Sequence, residues 1–248
     1  MLQRVKDFLR LIKYSIIFSF TFLLSKVNQI LSKKNVTCSK EIQRCSENIL
    51  SPNYKYELLG KDTPICCATH LYTILKDLTL LFEQYDIKYF ISFGTLLGAK
   101  RHGGMIPWDT DIDVVIPDYE QKKVFDLLQK EYIKQYDISI DKYKGMIGDL
   151  IRVNYSKTNK LHADIFIYKH IDNNIYLGLQ EVLPYNIIFP LNEISFYDLK
   201  VKVPNNINYF LQHFFGKDYM NYAYKQWSFK KYKFKLENYN PAQIRYEK

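Results

Sequence analysis

Residues 109–117 read Asp-Thr-Asp-Ile-Asp-Val-Val-Ile-Pro, a run in which carboxylates alternate with β-branched side chains and which stops at a proline. Successive side chains of a strand point to opposite faces, so Asp109, Asp111 and Asp113 project from one face while Ile112 and Val114 enter a core. Carboxylates crowded in this way repel, and one is driven to protonate unless a cation sits between them. Magnesium, or manganese in its place, answers that need, because it prefers oxygen ligands and is commonly held by one or two carboxylates together with substrate phosphates.

The upstream segment supplies the other half of a phosphate-handling site. Residues 88–93 predict a strand, and Gly94-Thr95 stands at its end before a short helical stretch over residues 96–100. A helix start offers unpaired N–H groups, Gly94 lets backbone approach a phosphate, and Thr95 adds a hydroxyl. Lys100, Arg101 and His102 follow as sources of positive charge. A Gly-Thr pair is common and an Asp-rich loop is usually a solvated turn. Joined, with strands on both sides, the two halves favour a site.

The order Gly94-Thr95-Leu96-Leu97-Gly98-Ala99-Lys100-Arg101-His102, then Ile106-Pro107-Trp108-Asp109-Thr110-Asp111-Ile112-Asp113, resembles the signature of the LicD and fukutin-related family. His162-Ala163-Asp164-Ile165-Phe166 is similar to the family's later carboxylate-bearing strand, and landmarks through Met220 extend the resemblance over about residues 64–220. These are nucleotidyltransferase-fold enzymes that move a phosphorylated group from a CDP-linked donor onto a glycan. The resemblance implies an α+β fold, a mixed sheet flanked by helices. It makes Asp111 and Asp113 the magnesium ligands and Asp164 a third ligand or the general base. Gly94, Thr95, Lys100, Arg101, Trp108, Asp109 and Arg152 are candidates for holding substrate. Asp109 doubles as an alternative ligand, and His102 and His162 read more readily as ordinary hydrogen-bonded histidines.

The four cysteines, Cys38, Cys45, Cys66 and Cys67, all precede the signature. Disulfides are the first reading of such a cluster in a secretory protein, with three pairings open. A closed set of four thiolates for structural zinc is the other. The spacing resembles a zinc-binding loop of the same family, and that likeness turns the expectation toward zinc.

At the N-terminus, residues 14–25 carry no charge and follow Arg4, Lys6, Arg10 and Lys13. The run is short for a span of about twenty residues, but a snorkelling Lys26 extends it through Leu31. The expected organisation is a cytoplasmic stub and signal anchor over residues 1–32, a cysteine-rich zinc loop over 33–67, and a LicD-like catalytic domain over 64–248. A type II protein of the Golgi or ER membrane with a lumenal body follows, and sequons at Asn35 and Asn154 fit that placement.

Net charge is +9, and the C-terminal stretch interleaves lysines with aromatics. That pattern can bind single-stranded nucleic acid, yet it is more often a solvated edge, and nothing else in the chain resembles a nucleic-acid module. The expected partners are therefore a CDP-linked donor, a glycan or glycoprotein acceptor and the membrane, with a homo-oligomer left open. Between the landmarks, periodicity predicts helices over residues 64–85, 119–136 and 206–215, and strands near 147–155, 161–168, 174–179 and 197–203. The function expected from the resemblance is metal-dependent transfer of a ribitol phosphate-like group or phosphocholine, releasing CMP, in protein glycosylation. The alternative is a non-catalytic, zinc-stabilised partner of a glycosyltransferase.

Overall fold

The computed structural model describes residues 39–41, 62–178, 181–227 and 230–236. The expected anchor, Asn35, Cys38 and Cys45 lie outside the described residues. Helix α1 (Ile65–Gln84) begins after Pro64, whose fixed φ suits a helix start. Its apolar residues Leu71, Ile74, Leu75, Leu78, Leu81 and Phe82 recur three and four apart and are all buried. Each such side chain contributes roughly 1.5–3 kcal/mol by leaving water. By length and hydropathy α1 is a candidate membrane span, but half of its apolar window is buried inside the protein, as befits a core helix.

The chain then forms the two-residue strand β1 (Phe90–Ile91) and turns at once into α2 (Phe93–His102). Residues 88–93 therefore do not form one strand, and Gly94 and Thr95 fall inside the first helical turn. Strand β2 (Asp111–Pro117) follows, then a 3-10 turn (Asp118–Glu120) and α3 (Gln121–Tyr132), which buries Val124 and Leu128. Next come β3 (Asp137–Asp141), β4 (Leu150–Asn154), β5 (His162–Ile171), β6 (Asn174–Leu177) and β7 (Glu181–Pro184). A short helix α4 (Tyr185–Ile188), the hairpin β8 (Asn192–Phe196) and β9 (Leu199–Val203), α5 (Ile207–Phe215) and the hairpin β10 (Tyr222–Trp227) and β11 (Lys230–Lys235) complete the described fold.

The main sheet runs in the order β1-β2-β5-β4-β3, with β6 and β7 added beyond the C-terminal half of β5. Only β2 and β5 pair in parallel within it, so the sheet is mixed, as the α+β expectation requires. Their register sets Asp111 opposite His162 and Asp113 opposite Asp164, and that of β4 and β5 sets Arg152 opposite Asp164. Paired residues share a face. Three segments distant in sequence therefore bring carboxylates and a guanidinium side by side.

The sequon at Asn154 meets an obstacle: its side chain is 4% exposed and donates to the Asp137 carbonyl oxygen at 3.1 Å. The amide nitrogen that would carry a glycan is occupied inside the sheet, so this site is no support for a lumenal location.

Candidate active site

The site starts from β2. Thr110, Ile112 and Val114 are buried, whereas Asp109, Asp111 and Asp113 are half-buried, which is the alternation of a strand with one face in the core. All three aspartates line a single cleft of about 490 Å³, together with Gly94, Arg101 and Trp108. Its outer wall is aromatic, from Phe214 and Phe215 at the end of α5 to Tyr222 and Tyr224 on β10.

Local hydrogen bonds tie α2 to the aspartate strand. The Gly94 N–H donates to Asp113 Oδ2 at 3.2 Å, and the Asp113 N–H donates to Thr95 Oγ1 at 2.7 Å. A β-carbon at Gly94 would lie 2.8 Å from Asp109 Oδ2 and 3.5 Å from Asp113 Oδ2. Two carboxylate oxygens thus converge on one point beside the helix start, and only glycine leaves that point open. Phe93, just before it, holds φ at +41°, a strained value for a residue with a side chain. The ring is fixed by Phe166 and Phe214, at centroid distances of 5.2 and 4.9 Å.

The loop from α2 to Asp109 is clamped from outside. A β-carbon at Gly104 would overlap the Tyr197 ring, the Tyr197 hydroxyl accepts from Met105 N–H at 3.1 Å, and the Tyr197 N–H donates to the Gly103 carbonyl at 2.6 Å. Thr63 donates its hydroxyl to the Asp109 carbonyl oxygen. Trp108 is 4% exposed and meets His102 edge to face, so it anchors the turn beneath the cleft.

Not every residue singled out in the sequence joins this cleft. Thr95 is buried beneath it, and Lys100 is exposed away from its lining. Arg101 does line it, but its Nη1 donates to the Tyr219 carbonyl at 3.0 Å and its Nε to His102 Nε2 at 2.9 Å. Burial lowers its pKa to about 10, with Asp109 opposing the fall, so it stays cationic at neutral pH. It both braces the C-terminal wall and brings positive charge to the cleft.

Arg152 and Asp164 form a pair of their own. Nε donates to Asp164 Oδ1 at 2.7 Å, Nη2 to Oδ2 at 3.0 Å, and Nη1 pairs with Asp141 Oδ2 at 2.8 Å. Burial alone would raise the Asp164 pKa, but hydrogen bonds and charge from His162 and Arg152 hold it below the ordinary carboxylate range. The Arg152 guanidinium is engaged with carboxylates rather than aimed at the cleft, and Asp164 lies beside Asp113 in register without lining it. The cleft instead holds Asp109 beside Asp111 and Asp113, and a fourth carboxylate, Asp218, that pairs with Lys233 at 2.6 Å. Of the cysteines, Cys66 is half-buried and Cys67 buried in the first turn of α1. The aromatic wall has no signature in sequence, because Phe93, Phe214 and Tyr222 meet only through the tertiary fold.

A helix start is set against an aspartate-bearing strand within a mixed sheet, and residues 86–206, which hold both, match the family described as LicD/FKTN/FKRP, nucleotidyltransferase domain. Through that domain the chain belongs to the LicD/fukutin-related family. It is 30% identical over 179 residues to Ribitol 5-phosphate transferase FKRP of Mus musculus, covering 67% of this chain and 35% of that protein. It is 33% identical over 111 residues to Lipopolysaccharide cholinephosphotransferase LicD of Haemophilus influenzae, covering 40% of this chain and 42% of that one. An uncharacterized protein of Rickettsia prowazekii, RP689, is 30% identical over 61% of this chain and 54% of its own length. The chain thus spans about a third to a half of the length of these relatives.

Proposed function

We propose that this chain is a metal-dependent transferase that moves a phosphorylated alditol of the ribitol phosphate type, or phosphocholine, from a CDP-linked donor to a glycan hydroxyl, releasing CMP. The observation that carries the reading is the convergence of Asp109 and Asp113 oxygens on the open point beside Gly94, with Asp111 in the same cleft. Relatives named for ribitol phosphate and phosphocholine transfer support the group that moves.

The carboxylates of the cleft suit a divalent cation, which Asp111 and Asp113 would hold, with Asp109 in the same cleft as a further oxygen donor. Such an ion supplies charge neutralisation at the donor's phosphates. Everything else falls to the chain. The acceptor oxygen forms a bond to the donor's β-phosphorus, the bond from that phosphorus to the bridging oxygen breaks, and CMP leaves with the electron pair. The acceptor proton passes to a carboxylate of the cleft. Reactions of this type depend mainly on positioning and charge, which the Gly94 amide, the α2 start and Arg101 provide. Asp164 is a positioning residue here: gripped by Arg152, it locks β4 and β5 beside Asp113. In this reading the body works on the lumenal side of the Golgi or ER membrane, with residues 1–32 as the signal anchor and the four cysteines as a structural zinc set.

The test is CMP release from CDP-ribitol, CDP-glycerol and CDP-choline with magnesium and a panel of glycan acceptors. Release from one donor, lost with EDTA and in the Asp111→Asn, Asp113→Asn double variant, is expected. A folded chain silent with every donor, or a double variant as active as the parent, would overturn the reading.

A further inference from the structure

A second cleft of about 960 Å³, twice the volume of the aspartate cleft, opens at the other end of β2. Its lining comes from the end of α1, the Asp118-Tyr119 turn, the C-terminal half of β5, α4 and β9. Asp118 stands five positions beyond Asp113, roughly 16 Å along the strand at about 3.3 Å per residue. The volume is of the size that takes a small-molecule or oligosaccharide ligand.

Three features fix the chemistry of an occupant. First, Tyr119 is 67% exposed, the highest value among the large hydrophobic side chains of the described residues, and offers an open ring face at the rim. Second, Tyr185 is held between His170 and Phe189 at centroid distances of 4.6 and 4.9 Å, so its ring is fixed while the residue stays 40% exposed. A hydroxyl held in this way costs little entropy when it hydrogen-bonds. Third, the wall carries the carboxylates of Glu83, Asp86 and Asp118, against Lys88 and a Lys202 already paired with Glu193 at 2.8 Å. Tyr168 lines the same cleft, and burial, then Tyr119, Tyr185 and Asp118, raise the pKa of its hydroxyl.

This balance selects among ligands. Excess carboxylate repels phosphates, so a second nucleotide does not fit. A quaternary ammonium takes a cage of several open ring faces, but Tyr185 and Phe189 stack on each other, Phe82, Tyr89 and Tyr168 are buried, and Tyr119 is the most exposed ring among the described lining residues. A neutral sugar chain suits each part: the C–H face of a pyranose stacks on an open ring, and its hydroxyls donate to carboxylates and tyrosine oxygens. We propose that this cleft is a binding subsite for a neutral oligosaccharide, which holds the acceptor chain at a distance from the reacting hydroxyl. The acceptor role rests on the transferase reading above; the sugar binding does not. Anchoring raises the effective concentration of the acceptor end at the aspartates without taking part in the chemistry.

The experiment uses the full chain carrying Asp111→Asn and Asp113→Asn, so that turnover is irrelevant, against immobilised neutral oligosaccharides of hexoses, pentoses and N-acetylhexosamines, two to six units long. Retention on at least one series is expected, about tenfold weaker with Tyr119→Ala, near parental with Tyr119→Phe, and weakened by Tyr185→Phe. Unchanged thermal melting shows that each variant is folded. No retention by the folded parent, equal retention by the Tyr119→Ala variant, or displacement by free choline would overturn the proposal. So would a parental dimer that Tyr119→Ala converts to a monomer, which would make the cleft a contact between copies. In the active chain, Tyr119→Ala is expected to raise KM for a long acceptor about tenfold, with kcat and the donor KM unchanged. Sugar binding without CMP release would leave this subsite standing and remove the transferase reading; CMP release without sugar binding would do the reverse.

Discussion

The two ends of strand β2 are built on opposite plans. At its start, Asp109, Asp111 and Asp113 crowd into one cleft with Arg101, and two of their oxygens converge within 3.5 Å of the space that Gly94 leaves open. At its end, the carboxylates come from separate places in the chain, Glu83 and Asp86 around the end of α1 and Asp118 after β2, and share the lining with aromatic residues. Concentrated like charge suits polarising and neutralising a reacting phosphate, whereas dispersed acceptors beside fixed rings suit holding something without changing it. One strand therefore joins a place for chemistry to a place for grip.

The largest expected effect breaks the first end. Asp113→Asn keeps the shape of the side chain and its contact with the Gly94 amide, but removes a charge from the converging pair. About a 10³-fold loss of kcat is expected from the loss of preorganised charge, with thermal melting close to that of the parent. Equal turnover by parent and variant would show that the convergence has no part in catalysis.

Gly94→Ala asks whether the open space itself matters. The new methyl would stand 2.8 Å from Asp109 Oδ2, so the carboxylate or the helix must move. Displacement on the scale of an ångström costs about 10²-fold in rate. Oligosaccharide retention at the far end should not change, and a joint loss would mean that the two ends are not separable.

How much of this could be read from the chain follows the same division. The aspartate end is legible because Gly94 to Asp113 is one contiguous block whose alternation states its own facing. The aromatic end draws on five separated segments, from Phe82 to Lys202, and no spacing in sequence announces it. Residues 137–141, Asp-Ile-Ser-Ile-Asp, form a strand that the sequence reading passed over, because only Ile138 of its five residues is buried. Arg152 read as a phosphate ligand since a lone cation near a site suggests one; only the register of β4 against β5 reveals that Asp164 claims it.

That pair gives a prediction for stability rather than catalysis. Asp164→Asn leaves a half-buried guanidinium with one carboxylate in place of two. A loss of about 3 kcal/mol in chemical denaturation is expected, at the low end for a broken buried ion pair because Asp141 remains. The sign with pH is fixed. The folded pKa of Asp164 is depressed, so its contribution is complete above the unfolded value of about 3.9 and is lost as pH falls through the lower folded value. The gap between parent and variant should therefore be constant near neutrality and close below about pH 4. A gap that persists in acid would assign the loss to packing.

The smallest effect concerns the β8–β9 hairpin, which touches both ends: Tyr197 clamps the loop before the aspartates, and Lys202 lines the aromatic cleft. Tyr72 of α1 ties this hairpin down by donating its hydroxyl to Asp198 Oδ1 at 2.7 Å. Tyr72→Phe removes one hydrogen bond to an exposed carboxylate and should cost about 1 kcal/mol. Hydrogen exchange separates a general loss from a local one. If the hairpin transmits order to the aspartate loop, the Met105 and Tyr197 amides, bound to the Tyr197 hydroxyl and the Gly103 carbonyl, should exchange faster, while those of β1 keep their protection. Uniform acceleration across α1, β1 and the loop would instead place Tyr72 in the global core, and the hairpin would then be a passive cover over both ends.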